Sequence, residues 1–112
     1  MHRNDEMSDR LSWEQHGYYI HLELVKESPN IVNYHTHGLL HSRGNPDFKI
    51  TDPIDPFMAV SIFRELVELI DQGVGINPGM QIKDILTGLI IEISETNESD
   101  MLKITLSKSQ LG

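Results

Sequence analysis

Residues 52–73 read DPIDPFMAVSIFRELVELIDQG, and this stretch decides the fold class. Asp55 is a good N-cap, because its carboxylate can accept from the free N–H groups of a first helical turn. Pro56 suits the first helical position, where no N–H is needed. Gly73 can end the helix in the left-handed conformation. Between them, Val60, Phe63, Val67 and Ile70 follow 3–4 spacing, with Leu66 beside them. The spacing predicts a helix over about 56–72 that packs one apolar stripe on a sheet. Glu65, Glu68 and Asp71 then point to solvent.

The flanking segments alternate with period two, as half-buried strands do. In YYIHLELVK (18–26), Tyr18, Ile20, Leu22 and Leu24 share one face, and Tyr19, His21 and Glu23 share the other. SPN (28–30) punctuates the chain before a second strand, IVNYHTHGL (31–39). So short a connection implies an antiparallel pair. HSRGNP (41–46) is rich in turn formers, and DFKIT (47–51) reads as a third, short strand.

After the helix, GVGINPGMQ (73–81) carries three glycines, but their spacing is not that of the dinucleotide fingerprint. IKDIL (82–86) fits a helical turn or a short strand. LIIEISE (89–95) and MLKITLSK (101–108) alternate well, and TNESD (96–100) joins them into a C-terminal β-hairpin. The expected architecture is a single α+β domain over 11–112: a mainly antiparallel sheet of about five strands with one main helix on one face. Residues 1–10 read as a mobile leader, followed by a short turn or helix anchored by Trp13. Phe57 and Trp13 are expected to cover the core or to join a subunit contact.

The chain has 112 residues, the size of one ordinary domain. Such a length buries roughly 65% of the unfolded surface, enough for a core without staples. Hydrophobic residues make up 38% and charged residues 23%, which excludes a disordered composition. Cysteine is absent, so disulfides, thiolate zinc sites and cysteine nucleophiles are excluded. No signal-peptide pattern or membrane-length apolar run is visible, and a cytoplasmic location is expected. The formal charge of -8 disfavours nucleic acid and anionic membranes as partners.

Function is sharpest in NYHTHGLLHSRG (33–44), which holds His35, His37 and His41. Residues two apart in a strand share a face, so the imidazoles of His35 and His37 project together. Such a pair can converge on zinc, iron(II), manganese or nickel if a further ligand joins it. His41, folding back, or Asp47 can supply that ligand, and His21 on the neighbouring strand is the alternative. Asp52 and Asp55 are further nearby carboxylates, although turn chemistry and helix capping account for them more simply. The same histidines also fit structural or solvent-facing roles, or acid–base chemistry without metal. Ser42 beside His41 lacks any residue that would orient it as a nucleophile.

HTHGLL (35–40), GNPDFKI (44–50) and a helix ending LIDQGVGINPG (69–79) resemble a bacterial family of small proteins classed as a domain of unknown function, the DUF4262 type. That family has a Thr-x-Gly-Leu strand end, a His/Asn-Pro-Asp/Glu strand start, a helix with a terminal Gly, and a Pro-Gly loop. The matching residues here are Thr36, Gly38, Leu39, Pro46, Asp47, Gly73, Pro78 and Gly79, within roughly 35–79. The usual lead-in is longer than the one here. Relatives carrying apolar residues near positions 35 and 37 imply that these are not obligate ligands. The resemblance implies a bacterial source and brings no assigned activity.

The leading expectation is a binding or interaction module without catalysis, with a protein or small-molecule partner. It is expected to self-associate as a dimer, because the chain is small and MLKITLSK would otherwise expose an edge strand. The alternative is a metal-dependent, hydrolase-like enzyme built on His35 and His37. A nucleic-acid-associated factor comes third, against the charge.

Overall fold

The computed structural model describes residues 17–24, 32–83, 85 and 88–108, so the leader and Trp13 lie outside the described residues. The elements are β1 (Tyr19–Leu24), β2 (Val32–His37), α1 (Leu39–Arg43), β3 (Asp47–Ile50), α2 (Pro56–Asp71), β4 (Gln81–Lys83), β5 (Leu89–Glu95) and β6 (Met101–Lys108).

The long helix α2 starts and stops where local chemistry dictates. The Asp55 carboxylate accepts from the Phe57 N–H at 2.7 Å, and Pro56 occupies the first turn. At the other end, Gly73 takes φ 97°. Its N–H donates to the Ile70 carbonyl, and the Val74 N–H donates to that of Leu69. This pair of bonds is the Schellman closure. The buried stripe is Ala59, Ile62, Phe63, Leu66 and Val67. It is rotated from the expected one: Ala59 lies on its midline and Ile62 on one flank, whereas Val60 lies at its margin and Ile70, in line with the row, is half-buried near the helix end. The i, i+3, i+4, i+7, i+8 row beginning at Ala59 explains the rotation. Glu65, Glu68 and Asp71 are exposed, as the spacing predicts. Phe57 is 84% exposed, so it does not cover the core.

Among the described residues, six strands form one mixed sheet in the order β1-β2-β3-β6-β5-β4, one strand more than expected. The segment read as a helical turn or strand supplies β4, which pairs antiparallel with β5. α2 packs against one face, where Val32, Tyr34, Phe48, Ile50, Ile93 and Ile104 are buried with the helix stripe. The Tyr34 hydroxyl donates to the Ile54 carbonyl at 3.0 Å, so this ring is buried without an orphaned polar atom.

The hairpin strand β6 is not an edge. It pairs parallel with β3, from Asp47↔Met101 to Ile50↔Ile104, and antiparallel with β5. This register sets Phe48 beside Leu102 and Ile50 beside Ile104 in one apolar layer. Among the described residues the edges are β1 and β4, so β6 does not supply the exposed edge on which the expected dimer partly rested. No helix among the described residues is long and apolar enough to cross a membrane.

Candidate functional site

Strand alternation decides what the face opposite α2 presents. Residues between the core positions emerge there: Tyr19, His21 and Glu23 from β1, Asn33, His35 and His37 from β2, Lys49 from β3, and Lys103 and Thr105 from β6. The β1–β2 register sets His21 opposite His35 and Tyr19 opposite His37.

The rings meet. His35 and His37 stand edge to face with centroids 4.3 Å apart, and His21 stacks on His35 at 4.9 Å with 30° between planes. Tyr19 stacks on His37 at 4.8 Å. The His21 Nε2 lies 3.6 Å from a Glu23 carboxylate oxygen, an ion pair when the ring is protonated. Burial holds the His35 imidazolium below the usual histidine range, and His37 and His21 add to that effect. Glu23 and Asp47 oppose it.

The third imidazole beside His35 and His37 is therefore that of His21. His41 rides on α1 and is exposed. Asp47 is committed elsewhere. Its carboxylate accepts from the Thr36 hydroxyl at 2.7 Å and from the N–H groups of Leu39 at 3.0 Å and Gly38 at 3.3 Å. The Thr36 hydroxyl also accepts from the Phe48 N–H at 3.0 Å. Four hydrogen bonds thus tie the end of β2 and the start of α1 to the start of β3. Gly38 turns the chain there at φ 104°, a left-handed conformation that side chains resist.

The remaining polar candidates also have structural duties. Asp52 accepts from the Leu106 N–H at 3.2 Å, and Asp55 caps α2. The Ser42 hydroxyl donates to the Gly38 carbonyl at 2.8 Å. Buried Asn45 accepts from the Ile76 N–H at 3.1 Å and so holds the loop after α2. Arg43 bonds Asp71 at 2.7 Å and lies over the ring of Tyr18, joining α1 to α2 and to the residue just before β1.

Among the described residues, no group of three His, Asp or Glu side chains is arranged to hold a metal ion. Ring nitrogens bind metal through lone pairs in the ring plane, and the stacked planes of His21 and His35 do not converge on one point. A hollow lined by Pro46, Pro78, Thr96 and Met101 contains no histidine, nor does another lined by Arg43, Arg64 and Glu68. Comparison with protein-family models, with curated proteins and with solved structures finds no match.

Lys49 and Lys103 were not singled out for the site by the sequence reading. Alternation gives the face on which each stands, but their adjacency depends on the parallel β3–β6 pairing, for which the sequence carries no local signal.

Proposed function

We propose that this protein is a non-catalytic binding module whose ligand surface is the open sheet face around Tyr19, His21, His35 and His37. The supporting observation is the ring cluster itself: four unsaturated rings in mutual contact on a sheet face that no helix of the described residues covers. Buried rings would belong to packing; His21 and His35 are only half-buried and so reach the surface. The Asp47 carboxylate and the Ser42 hydroxyl are engaged in backbone and turn hydrogen bonds.

A thermal-shift screen of small molecules, run on the wild type and on the His35→Ala/His37→Ala variant, tests this reading. Ligands that raise the wild-type Tm but leave the variant unmoved support it. Equal stabilisation of both proteins by every hit, or turnover of a hit, would overturn it.

A second reading keeps the metal. His21, opposite His35, supplies the third imidazole that an open three-histidine site requires. This metal-dependent, hydrolase-like alternative needs side-chain rotation to unstack His21 from His35. It predicts stoichiometric metal by elemental analysis of protein purified without a histidine tag. Metal-free protein that zinc, manganese and nickel fail to stabilise would remove it. Dimerisation through a sheet edge would use β1 or β4, and light scattering across a concentration series reads it directly.

A further inference from the structure

The registers of three strand pairs line up one row of side chains across the open face. His21 is opposite His35, His35 is opposite Lys49, and Lys49 is opposite Lys103, which in turn faces Ser94. Neighbouring strands are about 4.8 Å apart, so the row from His21 to Lys103 spans roughly 14 Å. Every member of its first four positions is a cation or becomes one on protonation. Among the described residues, neither Lys49 nor Lys103 forms an ion pair. Like charges directly opposite one another oppose folding, so the free protein holds two adjacent ammonium groups at a cost.

We infer that this row is an anion site, and that its ligand is a small molecule carrying a diphosphate or longer phosphate chain. The inference rests on the open face being the ligand surface. Lys49 and Lys103 would take the phosphate oxygens, with His35 and His21 extending the cradle. The surroundings make the ligand compact. Glu23 and Glu92 stand in the row on one side and Asp47 in the row on the other, so negative charge is tolerated only along the row itself. A net charge of -8 repels an extended polyanion such as a nucleic acid or an anionic bilayer, but a short chain fits between the flanking carboxylates.

The site is built to strengthen in mild acid. His35 faces His21 and Glu23 from β1, His37 on its own strand, and Asp47 and Lys49 from β3, with Lys103 one strand further. A bound phosphate chain neutralises the cations of this set and favours the imidazolium, so binding takes up protons and tightens as pH falls toward the histidine range.

The probe is inorganic diphosphate, titrated by calorimetry and by two-dimensional NMR into the wild type, Lys49→Gln, Lys103→Gln and the off-row control Lys83→Gln. Expected are shifts at residues 21, 35, 49 and 103, and a roughly tenfold weaker Kd in each on-row variant, as for one lost charge-assisted bond. Lys83→Gln should bind within about twofold of wild type. Without anion, Lys103→Gln should have a higher Tm than wild type, and diphosphate should reverse that order; a lysine with only a structural role gives no such reversal. Equal binding by wild type and both on-row variants, or tighter binding to duplex DNA or to anionic vesicles, overturns the anion site. If diphosphate fails to bind while other screen hits are lost in His35→Ala/His37→Ala, the anion site falls and the open-face reading stands. If no ligand of any class depends on the face, both fall.

Discussion

Replacing Asp47 with alanine should unpick the corner that joins β2, α1 and β3. The carboxylate accepts three hydrogen bonds, from the Thr36 hydroxyl and from the N–H groups of Leu39 and Gly38. A bond to a charged acceptor contributes about 1.5–3 kcal/mol net. The Gly38 contact at 3.3 Å is long, and the carboxylate is half-buried, so water recovers part of the loss. Two effective bonds remain, and Asp47→Ala should cost about 3 kcal/mol. Asp47→Asn keeps an oxygen for Thr36 and Leu39 and loses the charge, so it should cost about half as much. Thr36→Val removes the partner on both sides and strands the Phe48 N–H, costing about 2 kcal/mol. Urea unfolding reads these values directly. A slope near 1.5 kcal/mol/M turns 3 kcal/mol into a midpoint drop of about 2 M. The Thr36/Asp47 double-mutant cycle should return a coupling of about 1 kcal/mol. Asp47→Ala within about 0.5 kcal/mol of wild type, with unchanged slope, would refute the corner as a determinant of stability.

The rotated helix stripe gives a paired comparison: Ile62→Ala, fully buried, should cost about 3 kcal/mol, and Val60→Ala, at the margin, about 1 kcal/mol or less. Equal costs would return the stripe to the phase expected from spacing. His35 makes stability fall in acid. Its folded imidazolium is held below the ordinary value of 6.5, first by burial and then by His37 and His21, so protonation favours the unfolded chain. The contribution is complete above pH 6.5 and is lost as pH falls from there toward the folded pKa. Chemical-denaturation midpoints at pH 8 and pH 5 should differ less in His35→Gln than in wild type, and an undiminished difference would count against the assignment.

Legibility in the sequence followed the range of the forces involved. The ends of α2 were readable because Asp55, Pro56 and Gly73 act on their own neighbours. Its rotation was not, since Ala59 is a weak hydrophobic signal and earns its central place only when the sheet lies against it. The faces of β1 and β2 were readable from alternation, and with them the placing of His21 on the side of His35. The position of β6 was not readable: a hairpin declares its own register, whereas parallel pairing with β3 depends on residues more than fifty positions away. That failure hid both the true sheet edges and the Lys49–Lys103 neighbourhood. The structural duty of Asp47 was hidden for a related reason. A carboxylate near histidines looks like a ligand until the turn folds and two backbone N–H groups claim it.

The corner and the open face are linked through register. A one-residue slip of β2 against its neighbours would turn His35 and His37 into the core and bring Tyr34 and Thr36 out. The residues that forbid the slip are Thr36, Gly38, Leu39 and Asp47, because their bonds form in one alignment of β2 on β3. These same residues carry the resemblance noted in the sequence, while the imidazoles do not. The division follows from physics: a corner needs particular hydrogen-bonding groups and a left-handed glycine, and the face it aligns carries no such backbone constraint. On the proposed reading, a chain with this corner and a different face would keep the fold and change the ligand, and substitutions at residues 21, 35, 37, 49 and 103 would alter binding while those within the corner would alter stability.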